Sequence, residues 1–230
     1  TTPAFPSGRW AAADAGAEVF LFEKMNRVGL KMGITGKGRC NITNSAPITD
    51  FISKTPGNGK FLFSAYHKFS NTDLLDLFHT WGLETKVERG GRVFPASDSA
   101  QEVRRLFMQL LEEKHVKLHL SEPILHILTE NKKVIAVQTE KGRYSVDAVI
   151  LCTGGKSYPR TGSTGDGYAM AAALGHTIVP VRPALVPLVC KEPYCKELQG
   201  LSLKNVTLSL SAGGRRKTEA FGEMLDRKGV

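Results

Sequence analysis

Glu23 closes the apolar run "AEVFLFE", and ten residues later the chain enters "GITGKGRCNIT", residues 33–43, with three glycines and two cations. A carboxylate at the carboxyl end of a strand in a βαβ unit can accept hydrogen bonds from a ribose diol. Taken alone, Glu23 reads first as a solvent-exposed strand-end acid. Gly33, Gly36 and Gly38 can leave their backbone amides bare, and successive amides of such turns form an anion-binding nest. Lys31, Lys37 and Arg39 add positive charge, and the Arg fork matches a phosphate with two parallel bonds. The plainer alternative is a surface loop with glycine hinges. Further on, "ILCTGG" carries an apolar run into Thr153, Gly154 and Gly155, where backbone could approach a ligand beyond the strand end. "GSTGDGYAMAAALG" then sets Gly165, Asp166 and Gly167 ahead of a helix, whose free amides favour an anion. Asp166 could cap that helix or accept a ligand hydroxyl. Together these residue types suit a ligand that carries phosphates and ribose.

The elements that must position them follow from periodicity. An Ala-rich helix ends at Gly16, and the strand ending at Glu23 follows. Residues 25–47 are expected to be one long Gly-rich basic loop. A helical excursion occupies about residues 59–115. Within it, Asn71 is the expected cap of a helix that buries Leu74, Leu77 and Phe78 and stops at Gly82. A hairpin is expected around Gly90–Gly91, and Ser99 with Glu102 forms a capping-box pattern ahead of Val103, Leu106, Phe107, Leu110 and Leu111. The period then becomes two: "KLHL", "PILHILTE", "KVIAVQTE" and "RYSVDAVILC" predict an antiparallel meander and then a buried strand ending at Cys152. From Ala184 the sequence is β-like again, in "ALVPLVC" and "LKNVTLSLSA".

The 230 residues carry a formal charge of +9, with 41% hydrophobic and 23% charged residues. This is the composition of a globular domain with a packed core. Lys and Arg are dispersed without a run of five, which argues against a dedicated nucleic-acid surface. No apolar run has the length of a membrane span, and "TTPAFPSGRW" lacks the pattern of a secretion signal. These features set the expectation of a cytoplasmic protein without membrane association. Cys40, Cys152, Cys190 and Cys195 show no paired spacing for a metal, and no metal ligand is expected.

The order of these features is more specific than any one of them. "VGLKMGITGKGRCNITNS", "GGRVFPASDSAQEV", "VILCTGGKSYPRTGSTGDGYAMAAALGH" and "LVPL" resemble the bacterial NAD(P)/FAD-dependent oxidoreductases, a flavoprotein family with aminoacetone oxidase and 3-dehydro-bile-acid Δ4,6-reductase-like members. The resemblance spans about residues 10–225. It implies an α/β fold. A Rossmann-like FAD-binding domain at 1–184 has a parallel sheet and an antiparallel β-meander, and an inserted β-rich substrate domain begins at 185–230. It implies FAD as cofactor, with NAD(P)H added by the family label alone, and a small organic molecule as substrate. By the same resemblance Glu23 binds the adenosine ribose with Lys24 beside it. Lys31, Thr35, Gly36, Gly38, Arg39, Cys40 and Asn41 wrap the pyrophosphate and flavin side. Ile124 passes the adenine, Thr153, Gly154 and Gly155 approach with backbone, and Asp166 lies near the ribityl or flavin region.

The glycine fingerprint of that family, G-x-G-x-x-G, is absent. Thr2 and Phe5 stand where its second and third glycines are counted. Its strand is central in such sheets, so without it two neighbours lack ladder partners. The family pattern also continues past residue 230, and the chain is expected to be a partial form. No side chain stands out as a general acid or base. Beside the oxidoreductase reading stand a non-catalytic remnant that holds no FAD and a basic nucleic-acid-binding module.

Overall fold

The structure is a computed structural model and describes residues 7–183, 192–193, 197–198 and 200–225. It divides into two units, Thr1–Val181 and Arg182–Val230. In the first, helix α1 (Ser7–Asp14) leads through Gly16, at φ 87°, into β1 (Phe20–Glu23). β1 pairs in parallel with β5 (Lys117–Leu120), Leu21 opposite Leu118 and Glu23 opposite Leu120. Everything between is one long crossover. It holds α2 (Leu30–Ile34), the short strand β2 (Thr43–Asn44), α3 (Ile48–Lys54), α4 (Phe63–Lys68) and α5 (Asn71–Thr80). The hairpin β3 (Thr85–Glu88) and β4 (Arg92–Pro95) and the long α6 (Ala100–Glu113) complete it.

The apolar stripe of α6 explains the core. Val103, Phe107, Leu110 and Leu111 recur at helical spacing and are buried, the first three against Phe78, Leu74, Leu83, Met32 and Ile42. Phe78 and Phe107 meet edge to face, with centroids 5.7 Å apart. Leu21 of β1 joins Leu111 and Val28 in a second cluster beneath the parallel pair. The meander consists of β6 (His126–Glu130), β7 (Lys133–Gln138) and β8 (Arg143–Ser145), paired in that order. Its first turn places both Asn131 and Lys132 at positive φ, 49° and 64°, the twist that suits a two-residue hairpin loop. Helix α7 (Asp166–Ala173) closes the unit. In the second unit β9 (Ser202–Ala212) and β10 (Arg215–Leu225) form one antiparallel hairpin.

The α/β class, the parallel pair and the meander agree with the sequence expectation. Four local expectations do not. Residues 25–47 are not one loop but contain α2 and β2. The cap of α5 is Ser70, whose hydroxyl accepts from the Asp73 amide while the Asp73 carboxylate accepts from the Ser70 amide. Asn71 instead donates its amide to the carbonyls of Asn44 and Ala46, tying α5 to β2. The Ser99–Glu102 capping box does not close, because Glu102 accepts from Ser97 Oγ instead.

Finally, residues 147–152 form no strand, and Ile150 and Leu151 are 53% and 41% exposed. Apolar sequence makes a strand only where a neighbouring backbone offers donors and acceptors. Among the described residues none does so for 147–152. "ALVPLVC", with Cys190, lies outside the described residues, as does Cys195.

Candidate functional site

Between β1 and residues 146–155 lies a cavity of about 590 Å³. One side is β1 with its flanking residues Glu18, Val19 and Lys24, and the facing wall is Val146–Gly155. Along its flank the lining is apolar, with Phe20, Phe22, Val149 and Leu151. At the carboxyl end of β1 it turns polar, with Glu23, Lys24, Thr153, Gly154, Gly155, Ser163 and Asp166. The cavity therefore ends where open α/β sheets present ligand-binding groups.

Glu23 accepts one hydrogen bond, from the Met25 amide to Oε1 at 2.9 Å. That bond bends the chain away from the strand axis and holds the carboxylate at its end. The Glu23 carbonyl accepts from the Glu122 amide at 3.1 Å, so the next segment of chain pins the same turn. Lys24 reaches across to α7 and pairs with Asp166 Oδ2 at 2.6 Å, and it also donates to Thr164 Oγ1. Thr164 Oγ1 donates to Asp166 Oδ1 at 2.6 Å. Lys24 first and Thr164 second hold the Asp166 carboxyl below its usual range. The N-cap position of α7 is held by Gly165, and Asp166 is the first residue of the helix. Its carboxylate clamps β1 to the helix start, where the dipole also favours negative charge.

Close approach explains two glycines here. A Cβ on Gly167 would lie 2.2 Å from Thr153 Oγ1, so α7 packs directly on the Thr-Gly-Gly turn. Gly162, at φ 90°, lies against Met25, with a Cβ contact of 3.1 Å. Lys31 on α2 donates to Ser157 Oγ at 2.8 Å and to its carbonyl at 3.1 Å. Its ammonium lies 4.8 Å from the Tyr158 ring centroid. Partial burial lowers the Lys31 pKa.

The predicted site residues thus fall into two groups. Glu23, Lys24, Lys31, Ile124, Thr153, Gly154, Gly155 and Asp166 line the one cavity. Thr35, Gly36, Gly38, Arg39, Cys40 and Asn41 do not line it; they form the turn that follows α2. Gly36 and Lys37 are both left-handed there, at φ 57° and 60°. Thr35 stitches the turn: its hydroxyl donates to the Met32 carbonyl at 2.9 Å and accepts from the Asn41 amide at 3.2 Å.

Arg39 faces the β3–β4 hairpin, with Glu88 at 2.7 Å, Asp98 at 3.4 Å and the Phe94 ring centroid at 4.1 Å. Its hydrogen bond to Glu88 raises its pKa. An anion at Arg39 would compete with two carboxylates. Cys40 is fully buried, and burial pushes its thiol up to about 11 despite the hydrogen bond with Thr35. It is a packed thiol, not a thiolate.

Sequence reasoning missed Glu122. Only 3% exposed, its carboxylate accepts from Thr139 Oγ1 at 2.8 Å, Tyr144 Oη at 2.9 Å and Lys141 Nζ at 3.1 Å. His119 Nδ1 lies 3.1 Å away. Burial alone would raise its pKa, but Thr139, Tyr144, Lys141 and His119 together bring it down to about 2. The carboxylate ties the meander to the parallel pair and, through its amide, fixes the Glu23 turn.

The family model for the HI0933-like protein Rossmann domain matches residues 4–230. The chain belongs to this family. The resemblance read from the motifs is borne out by a 3-dehydro-bile acid Δ(4,6)-reductase of Clostridium scindens. It is 37% identical over 187 residues, covering 81% of this chain and 45% of the relative. A ribosomal RNA dihydrouridine synthase of Escherichia coli is 28% identical over 192 residues, covering 83% and 47%. The chain spans about half the length of the curated relatives it matches. Among solved structures, the open conformation of a flavocytochrome c3 fumarate reductase aligns with a TM-score of 0.52 at 19% identity, covering 75% of this chain and 39% of that one. At that identity the shared feature is the fold. Among the described residues of this HI0933-like chain, no helix is long and apolar enough to cross a membrane.

Proposed function

We propose that this chain is the FAD-binding part of a flavin-dependent reductase that adds hydride to a carbon–carbon double bond conjugated to a carbonyl. The observation that carries the reading is the convergence of Glu23, the bare Thr153-Gly154-Gly155 backbone and the start of α7 on one end of one cavity. This donor set fits a dinucleotide: a strand-end carboxylate for ribose hydroxyls, glycine backbone for close approach, and a helix N-terminus with Lys24 beside it for negative charge. Ile124 supplies an apolar wall. Lys31 fixes the loop at Ser157, and the 35–41 turn holds α2 in place.

The relatives' names supply the reaction class. A 3-dehydro steroid with Δ4,6 unsaturation and a uridine ring differ in size, but both offer a double bond polarised by a carbonyl. Bound FAD would supply the hydride, and the protein binds, orients and shields it. The electron donor in this proposal is NAD(P)H.

The test uses flavin retention. Among the described residues β1 pairs on one side only, with β5, residues 147–152 join no ladder, and the cavity lies between them. We therefore expect a version extended by a strand and a G-x-G-x-x-G turn to purify yellow. Glu23→Ala in that background should lose flavin about tenfold or more, the scale of a hydrogen bond to a charged group. An extended chain that stays colourless with added FAD would refute the proposal.

A further inference from the structure

We infer that Arg104 is a further ligand anchor of this cavity, its guanidinium taking the oxygens of a phosphate; for the source of that phosphate the inference rests on the flavin reading above. Arg104 belongs to α6 and lines the cavity with Phe107, one turn further along. Its Nε is buried and has no hydrogen-bond partner among the described residues. Of the carboxylates that line the cavity, Glu18 pairs with Lys117, Asp166 with Lys24 and Glu122 with Lys141. None of the cavity's carboxylates forms an ion pair with Arg104 among the described residues.

A buried donor left unmatched is destabilising, and each such group in a folded protein calls for an explanation. Arginine narrows what can match it. The guanidinium is always charged, has five donors and accepts nothing, so its partner must be an acceptor, and an oxyanion suits it best. Nε and one terminal nitrogen together can bind two oxygens of one phosphate.

The place of this side chain is built into the fold. Gly29, at φ 76°, stands just ahead of α2. A Cβ there would lie 3.7 Å from Cγ and 3.8 Å from Cδ of Arg104, and 3.1 Å from Cε of Met32. The Arg104 stem therefore runs over bare backbone, in a left-handed turn that favours glycine. Lys31, two residues further on, lines the same cavity, and its ammonium meets only neutral groups, the Ser157 hydroxyl and carbonyl and the Tyr158 ring, among the described residues. The wall made by α2 and α6 thus carries two cations with no carboxylate partner among the described residues. The neighbouring Arg105 is exposed, the ordinary place for such a charge.

Thermal melts test the anchor, at constant ionic strength, with inorganic pyrophosphate on the chain and with FAD or riboflavin on the strand-extended version. Arg104→Met keeps a stem over Gly29 and removes the fork. Arg105→Met removes the same charge from an exposed position. Pyrophosphate should raise the parent's melting temperature. Arg104→Met should weaken its apparent affinity about tenfold or more, the scale of a hydrogen bond to a charged group, and Arg105→Met should leave it unchanged. Arg104→Lys, which keeps the charge without the planar fork, should fall between. Without ligand, Arg104→Met should melt no lower than the parent, because the unmatched donor leaves with the side chain.

A pyrophosphate affinity equal in the parent and Arg104→Met would overturn the anchor. So would a parent that pyrophosphate does not stabilise, or a ligand-free Arg104→Met that melts well below both the parent and Arg105→Met. Two supporting outcomes tell the sources apart. Weakened FAD with unchanged riboflavin in Arg104→Met assigns the phosphate to the cofactor. Unchanged FAD with weakened pyrophosphate assigns it to a phosphorylated substrate. The flavin reading fails separately: an extended chain that takes pyrophosphate through Arg104 but stays colourless with FAD keeps the anchor and loses the reductase. One that holds FAD equally with and without Arg104, and no pyrophosphate, keeps the reductase and loses the anchor.

Discussion

Replacing Gly36 by Ala probes the turn that closes α2. Gly36 sits at φ 57°, ψ 30°, a left-handed conformation that costs an L-residue about 1–2 kcal/mol. The added methyl would lie 2.6 Å from Cε1 of Phe94, whereas carbon atoms settle at about 3.5–4.0 Å. About 1 Å of movement is needed. Phe94 is 1% exposed and has the Arg39 guanidinium 4.1 Å from its ring centroid, so the ring has little room to retreat. Overpacking of this kind costs about 1–3 kcal/mol, for a total of roughly 2–5 kcal/mol. Gly38 is the control. It has φ 92°, but the nearest atom to its added Cβ is the Gly33 carbonyl oxygen at 4.0 Å. Gly38→Ala therefore carries the backbone cost with no packing cost. Equilibrium urea unfolding of the two variants, analysed with a common slope, isolates the packing part by difference. We expect Gly36→Ala to be less stable than Gly38→Ala by about 1–3 kcal/mol. Losses equal within about 0.5 kcal/mol would refute the claim that Phe94 braces this turn.

Glu122 predicts an acid limb. Its folded pKa of about 2 lies below the ordinary 4.5, so its contribution is present above the ordinary value and is lost as pH falls through about 2. Thermal melts of Glu122→Gln should start lower at neutral pH and lose less than the parent across that window; parallel curves would remove the carboxylate from the account. Ser70→Ala should cost about 0.5–2 kcal/mol by opening the α5 capping box, measured by urea unfolding. Asp166→Asn should cost only about 0–1 kcal/mol of stability, because the Lys24 pair is partly exposed; a larger loss in the same assay would show that the clamp carries the fold. Iodoacetamide at about pH 8 should label Cys152 and spare Cys40 until denaturant is added, as peptide mass spectrometry would show, because burial keeps the Cys40 thiol protonated.

What the sequence made legible was periodicity and local chemistry. The stripe on α6 and the turns of the meander need only neighbours a few positions away, and both stand as read. The destinations of the charged groups needed the fold. Arg39 looks like a phosphate clamp when only "GKGRC" is in view, but Glu88 and Asp98 lie 49 and 59 positions downstream. Asp166 looks like a cap until Lys24, 142 positions away, takes its carboxylate. Glu122 carried no signal at all, because its donors are contributed by β5 and by the meander, up to 22 positions distant. The same reasoning accounts for residues 147–152. Their apolar pattern specifies a strand's side chains but not the backbone that must pair with them. Across the cavity the edge of β1 that is unpaired among the described residues has the same need, with Glu23 at its end. The candidate site and the sheet edge left unpaired among the described residues therefore coincide. Whatever orders the flank of that cavity also sets the separation between Glu23 and the Gly154–Gly155 backbone, so strand completion and cofactor retention should be gained or lost together.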